Sequence, residues 1–183
     1  MHCLFSDHVI RFIDYPFSAA SVFPDGEVGL PLIASIDANS TPPQVRLVGV
    51  ETLFVPATQQ PELEVFAARN FVPAAARLDV WAIILAPWID TDLDDADDER
   101  GLSRLESFGI ARAEVSVLRG RVGPAMAAYN FQSGLWDWAN LNLFDALNAL
   151  SGMLAGPEFR LEAAPFAEFY WQAMEVASRE PLV

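Results

Sequence analysis

The chain has 183 residues, 52% of them hydrophobic, which is the length and composition of one ordinary globular domain. Its formal net charge of −14 disfavours nucleic acid and anionic membrane surfaces as partners, because both are negatively charged. We therefore expect a basic protein partner, no nucleic acid and no membrane.

The rare residue types exclude several chemistries. All eleven cationic residues are arginine, so a P-loop lysine and a Schiff-base lysine are both excluded. Cys3 is the only cysteine, and His2 and His8 are the only histidines. Three such residues near one terminus do not form a closed zinc site, so we expect no metal and no cofactor. Cys3 with His8 is the one Cys/His pairing that the chain offers a nucleophilic enzyme, and it has no local signature.

The first residues lack a basic segment followed by an apolar core, which a signal peptide would have. No apolar run approaches the roughly 20 residues that a membrane-spanning helix needs. The sequence therefore predicts a cytoplasmic protein.

The first half of the chain predicts mainly strands. Short apolar runs over Cys3–Phe5, Val9–Ile13 and Leu30–Ile36 have strand length, and turn-forming residues separate them. Val45–Val55 is dense in β-branched and aromatic residues and ends at a proline, which predicts one long strand. Pro61–Asn70 predicts a short helix, with proline in its first position and acids in its first turn.

The second half predicts mainly helices. Apolar residues at helical spacing favour helices over Asp94–Phe108 and Asp137–Leu150, and a last helix from Pro165. The apolar run Leu78–Leu85 predicts a central strand, and Ala113–Val122 predicts another. With strands first and helices concentrated later, we expect one α+β domain over residues 1–183, its antiparallel or mixed sheet covered by C-terminal helices.

Two arginine patterns depend on these elements. Arg119 and Arg121 would point to the same side of an extended segment, where two guanidinium groups could clamp an anion or pair with surface acids. We favour surface pairing because the chain is rich in acids. Glu175 and Arg179 have the i,i+4 spacing of a favourable helical ion pair.

Negative charge is most concentrated in a short segment that we call the acidic run. Its members are Asp90, Asp92, Asp94, Asp95, Asp97, Asp98 and Glu99. An EF-hand loop is excluded because Asp95 occupies the position of the turn glycine and Gly101 that of the last ligand. The favoured interpretation is a solvated loop whose acids cap a helix; the alternative is a docking surface for a cationic partner.

A second segment, from Tyr129 to Asn142, mixes aromatic, amide and acidic side chains, as polar ligand sites do. The candidate ligand-binding residues are Tyr129, Gln132, Trp136, Asp137, Trp138 and Asn140. The favoured interpretation is a helix entry with Asp137 as the N-cap, because aspartate is common at that position.

No assembled catalytic set is visible, so the sequence favours a non-enzymatic acidic binding protein. We expect an immunity-like inhibitor or adaptor that masks a more basic protein partner. The alternative is a small-ligand-binding domain or a carboxylate-dependent hydrolase that uses the segment from Tyr129 to Asn142. A homo-oligomer subunit is a third alternative, suggested by the aromatic content and the positive mean hydropathy.

Overall fold

A computed structural model describes residues 1–89, 94–133, 141–153 and 155–182, with the backbone alone for 130–133. Antiparallel strands come first and helices concentrate later, which confirms the α+β class. The chain divides into two compact units, residues 1–78 and 79–183. The length led us to expect a single domain. This division into two units does not test that expectation, which stays a prediction.

The first unit contains two three-stranded antiparallel sheets. The first sheet consists of β1 (His2–Phe5), β2 (Val9–Ile13) and β3 (Gly26–Gly29), paired in that order. The second consists of β4 (Ile33–Asp37), β5 (Gln44–Leu47) and β6 (Thr52–Phe54), also paired in order. Helix α1 (Gln60–Arg69) follows, as its proline and first-turn glutamate predicted.

Buried aromatic rings form the core of this unit. Cys3, Ile10 and Phe12 are buried on alternate positions of β1 and β2, which is the period expected of a half-buried sheet. Phe12 and Tyr15 meet edge to face, with their ring centroids 5.5 Å apart. Further along the chain, Phe17 packs in the same way against Tyr15 at 5.8 Å, so one line of rings fills this interior.

The long strand predicted over Val45–Val55 is wrong, because the chain turns back after β5. Gly49 has a φ of +112°, a conformation that glycine adopts without strain, and it lies in the turn between β5 and β6. The strand predicted over Leu30–Ile36 begins late, at Ile33. Residues Leu30–Leu32 form a 3₁₀ turn that contains Pro31.

Within the described part of the second unit, the regular structure consists of five α-helices and short 3₁₀ turns. These helices are α2 (Val80–Leu85), α3 (Asp95–Glu106), α4 (Arg112–Ser133), α5 (Leu143–Ser151) and α6 (Ala163–Ser178). The predicted helix over Asp94–Phe108 is confirmed as α3. The last helix is confirmed as α6, which starts two residues before Pro165.

The strand predicted over Leu78–Leu85 is wrong: the segment is helix α2. The carboxylate of Asp79 accepts hydrogen bonds from the backbone N–H groups of Trp81 and Ala82, which caps the helix. Trp81 is fully buried, and its Nε1 donates to the carbonyl oxygen of Ala173 at 3.1 Å. A short apolar run fits a buried helix as well as a buried strand, and the cap decides between them.

The strand predicted over Ala113–Val122 is also wrong, because this segment lies inside α4. Val115, Leu118 and Val122 are buried and recur at helical spacing. Residues two apart on a helix do not face each other, so Arg119 and Arg121 diverge instead of forming a pair.

The helix predicted from Asp137 begins later, at Leu143. Asn142 has extended backbone and caps α5, and Asp145 completes a capping box by accepting from the Asn142 N–H. Asp137, expected to be the N-cap, lies outside the described residues. Gly152, with a φ of +75°, ends the helix in the left-handed conformation.

Candidate functional site

The acidic run begins with a helix cap. One carboxylate oxygen of Asp94 accepts from the backbone N–H of Asp97 at 2.7 Å, which confirms the capping interpretation for this residue. Asp97 forms an ion pair with Arg100 one turn further on. Acids in the first turn also interact favourably with the positive end of the helix dipole.

Two further members of the run bind arginines of α4. The guanidinium of Arg119 donates to both oxygens of Asp98, at 2.7 and 3.1 Å, and these bonds lower the pKa of Asp98. Arg119 Nε also donates to the carbonyl oxygen of Ile84 at 3.0 Å, so this side chain connects three helices. Arg112 holds Glu99 in the same two-oxygen manner, at 2.5 and 2.7 Å, and lowers its pKa.

The acidic run therefore has a role inside the unit. Of its five described members, Asp97, Asp98 and Glu99 pair with arginines, and Asp94 and Asp95 do not. All of them except the half-buried Asp98 are exposed. Asp90 and Asp92 lie outside the described residues. Docking of a partner on the run stays a prediction. Fewer of its carboxylates are unpaired than the sequence suggested, because three of them bind arginines.

Charge is unevenly divided between the two units. Residues 79–183 contain seventeen of the twenty-five acids and seven of the eleven arginines. Residues 1–78 contain the other eight acids and four arginines, which makes this unit much closer to neutral. The excess in the second unit goes beyond the acidic run, since exposed glutamates also lie on and beside α6.

The outer face of α6 carries an aromatic residue that the sequence interpretation missed. Trp171 is 41% exposed, and Glu168 and Glu175 are exposed on the same helix. The indole contacts Tyr170 edge-on, with the ring centroids 5.2 Å apart and the planes at 87°. The buried stripe of this helix, which includes Phe169 and Tyr170, lies on the inner side.

The arginine contacts of α6 differ from those predicted. Arg179 binds both oxygens of Glu114 on α4, each at 2.7 Å, and therefore not the predicted Glu175. Arg121 reaches α6 as well, donating to the carbonyl oxygen of Pro165 at 3.0 Å. Its guanidinium carbon also lies over the ring of Phe169, 5.2 Å from the centroid.

In the candidate ligand segment, the structure describes one of the predicted side chains. Tyr129 is buried, and its hydroxyl donates to Asp145 at 2.9 Å. Burial raises the pKa of Asp145, and burial together with the neighbouring carboxylate raises the pKa of Tyr129. Asp145 was not among the predicted site residues, so the sequence analysis missed this contact. The other predicted side chains lie outside the described set: Gln132, Trp136, Asp137, Trp138 and Asn140.

The Cys/His pairing considered from the sequence has no activated nucleophile. Cys3 is buried, and burial raises the pKa of its thiol to about 12, so the thiol is protonated at neutral pH. The ring of His8 has a different partner, since its Nδ1 lies 2.9 Å from the side-chain oxygen of Asn70.

A shallow apolar groove of about 330 Å³ lies along α1 in the first unit. Its lining is mainly apolar, and it consists of Phe5, Pro61, Glu62, Val65, Phe66 and Arg69. Arg69 is already bound to Asp7 at 3.3 Å. The groove thus presents apolar surface with no uncommitted cation to hold an anionic ligand.

Among the described residues, no group of three or more acidic, histidine or cysteine side chains could hold a metal ion. Over the same residues, no helix is both long and apolar enough to cross a membrane. No protein-family model, no curated protein and no solved structure matches the chain, so the geometry carries the argument about function.

Proposed function

We propose that this protein is a non-enzymatic acidic binding protein, an immunity-like inhibitor or adaptor that masks a more basic protein partner. The observation that supports it most is the charge of residues 79–183, where seventeen acids face seven arginines. Several of those arginines are already engaged by acids of the same unit. The acids of this unit outnumber its arginines, so the excess carboxylates are available to a cationic surface.

Such a surface acts mainly on the rate of encounter. Complementary charge steers a basic partner toward the acidic unit and raises the association rate constant, while buried apolar and aromatic contacts set the lifetime of the complex. Salt screens exposed charges over about 8 Å at physiological ionic strength, so association should slow as salt rises. Partner binding in this form needs no catalytic residue.

The test is a pull-down from lysate of the source cell, followed by association kinetics with the purified partner at low and high salt. One variant bait replaces with amides the two described acids of the run that have no arginine partner and the two undescribed acids. It keeps the arginine-paired Asp97, Asp98 and Glu99. Its replaced residues are Asp90, Asp92, Asp94 and Asp95. We expect this bait to bind a basic partner at least several-fold more slowly.

The matched control removes the same charge from the first unit. It replaces four exposed acids with amides: Asp7, Glu27, Glu62 and Glu64. This bait should associate at nearly the native rate. A native association rate that does not change with salt would contradict the proposal, as would an equal effect of the two variants.

A second candidate function rests on the Tyr129–Asp145 contact. A carboxylate whose pKa is raised by burial, beside a hydroxyl, is a common arrangement in ligand sites and in acid catalysis. The small-ligand or hydrolase alternative would use it together with the segment that precedes Asn142. A thermal-shift screen of polar small molecules, repeated with Asp145→Asn, tests this: a stabilising ligand whose effect is lost in the variant supports it.

A further inference from the structure

The outer face of α6 combines an exposed indole with carboxylates on both sides of it. Glu168 precedes Trp171 by three residues and Glu175 follows it by four, so the three side chains share one face of the helix. Trp171 is 41% exposed and the side chain of Glu168 is 77% exposed. A large exposed aromatic ring beside acids is the composition of an interface anchor, where tryptophan is enriched.

A neighbouring side of the same helix already binds an arginine in this way, and Glu168 lies between Trp171 and Phe169 around the helix. The guanidinium of Arg121 lies over the ring of Phe169, and its Nη1 is 3.6 Å from a carboxylate oxygen of Glu168. The same side chain donates to Gln172 at 3.2 Å. An aromatic face and neighbouring oxygen acceptors together hold one guanidinium here, by cation–π attraction and hydrogen bonding.

We propose that Trp171, with Glu168 and Glu175, is the seat for an arginine side chain of the basic protein partner; this rests on the proposed function and names its surface. Among the described residues, the ring that carries a guanidinium is Phe169, and the exposed indole of Trp171 has none over it. Arginine fits better than lysine, because its planar group stacks on an indole while it donates to carboxylates on either side.

The probe is a set of synthetic ten-residue peptides in which serine alternates with arginine, with lysine or with citrulline, the neutral counterpart of arginine. Dissociation constants are measured by calorimetry at low salt with the full-length protein. The indole N–H resonance of Trp171, identified by its loss in Trp171→Ala, reports contact at the site. The arginine peptide should bind tightest and should shift this resonance.

Two variants test the site independently. Trp171→Ala should weaken the arginine peptide by about tenfold, the effect of losing an aromatic anchor. Glu168→Gln with Glu175→Gln should weaken it by roughly five- to tenfold. Both positions are exposed, and Arg121, the partner of Glu168, keeps its bonds to Gln172 and the Pro165 carbonyl in this variant. Their controls are Phe71→Ala, which removes another exposed aromatic ring, and Glu62→Gln with Glu64→Gln, which removes equal charge from α1.

The outcomes separate this inference from the proposed function. Loss of binding in both site variants, with both controls unchanged, supports the seat. If the arginine peptide binds the site variants as tightly as the native protein, the seat is wrong and the proposed function stands. Equal binding of lysine and arginine peptides overturns the arginine preference. If no cationic peptide binds the native protein at low salt, the arginine site is wrong, and the proposed function is judged by its own salt-dependent association test.

Discussion

The two units differ in which groups connect their elements. In residues 1–78, side chains complete the hydrogen bonding of strand backbones. In residues 79–183, arginine side chains connect one helix to another. The difference follows from the elements themselves: an edge strand has unpaired backbone groups, whereas a helix satisfies its own backbone between its ends.

The strand-rich unit shows this at two strands. The side chain of Gln59 accepts from the N–H of Cys3 and donates to its carbonyl oxygen, both at 2.8 Å, and so takes the place of a further strand beside β1. The hydroxyl of Tyr15 accepts from the N–H of Phe54 in β6 at 3.0 Å. Buried N–H groups are costly when unpaired, so each of these side chains stabilises a strand.

The helical unit uses guanidinium groups instead. Arg119 joins α4 to α3 and to the end of α2, and Arg112 joins α4 to α3 a second time. Arg121 and Arg179 join α4 to α6 and its end. A guanidinium has five donors in a fixed plane, so one side chain can bind a carboxylate and a backbone carbonyl together.

The largest effect should come from breaking the most buried of these connections. Arg119 is 18% exposed and Asp98 31%, so Arg119→Met leaves a partly buried carboxylate and the Ile84 carbonyl without their donor. We expect a loss of about 2–3 kcal/mol in the free energy of unfolding, below the value for fully buried pairs because water reaches this one. Urea unfolding measures it.

The control is Arg104→Met, an exposed arginine of the same helix bundle, which should change stability by less than about 0.5 kcal/mol. Acid titration gives a second readout. Because the pKa of Asp98 is lowered from 3.8, the stabilisation from its pair is present above that pH and is lost as the pH falls further. The gap between native protein and Arg119→Met should therefore narrow below about pH 4; a constant gap would contradict this role.

A smaller effect should follow from removing one hydroxyl in the strand-rich unit. Tyr15→Phe leaves the ring in place and removes the acceptor of the Phe54 N–H, which should cost about 1–2 kcal/mol. Hydrogen exchange of the Phe54 amide reports the loss directly. Tyr129→Phe, which removes a tyrosine hydroxyl from the other unit, should leave that amide as protected as before. If the Phe54 amide is as protected in Tyr15→Phe as in the native protein, the Tyr15 hydroxyl is not what protects it.

The sequence predicted the elements whose ends are marked. Helices α1, α3 and α6 have prolines or acids near their starts, and strands β1 and β2 lie between turn residues. Helix α2 was missed because six apolar residues have no periodicity that separates helix from strand. Asp79, the residue before them, was the available signal, since an aspartate that precedes an apolar run is a typical N-cap.

The contacts of the candidate sites were harder to predict than the elements. Arg119 pairs with Asp98, twenty-one residues away, and such a pairing depends on how α3 packs against α4. The strand predicted over residues 113–122 placed Arg119 and Arg121 side by side. It therefore gave no sign of their separate contacts with α3 and α6. The exposed Trp171 was missed for a related reason: hydropathy assigns tryptophan to a core, whereas its position between Glu168 and Glu175 on α6 assigns it to the outer face.

The smallest change in stability is expected from a glycine in α4, the helix that carries Arg112, Arg119 and Arg121. Gly120 lies between Arg119 and Arg121 in the middle of α4, where glycine is less favourable than alanine by about 0.5–1 kcal/mol. A β-carbon there would meet nothing within 4 Å, so Gly120→Ala should raise the free energy of unfolding by about that amount. Thermal and urea unfolding both measure the change.

Gly123, one turn further along α4, is the matched control. A β-carbon on it would lie 2.9 Å from the ring of Trp88, so the same substitution there must displace that ring and should lower the free energy of unfolding. A rise in the free energy of unfolding for Gly120→Ala and a fall for Gly123→Ala would show two different local effects. Helix propensity would decide the stability at Gly120, and close packing would decide it at Gly123. Equal destabilisation by both variants would mean instead that a β-carbon at Gly120 meets other atoms. That result would contradict the exposed position of Gly120 in the structure.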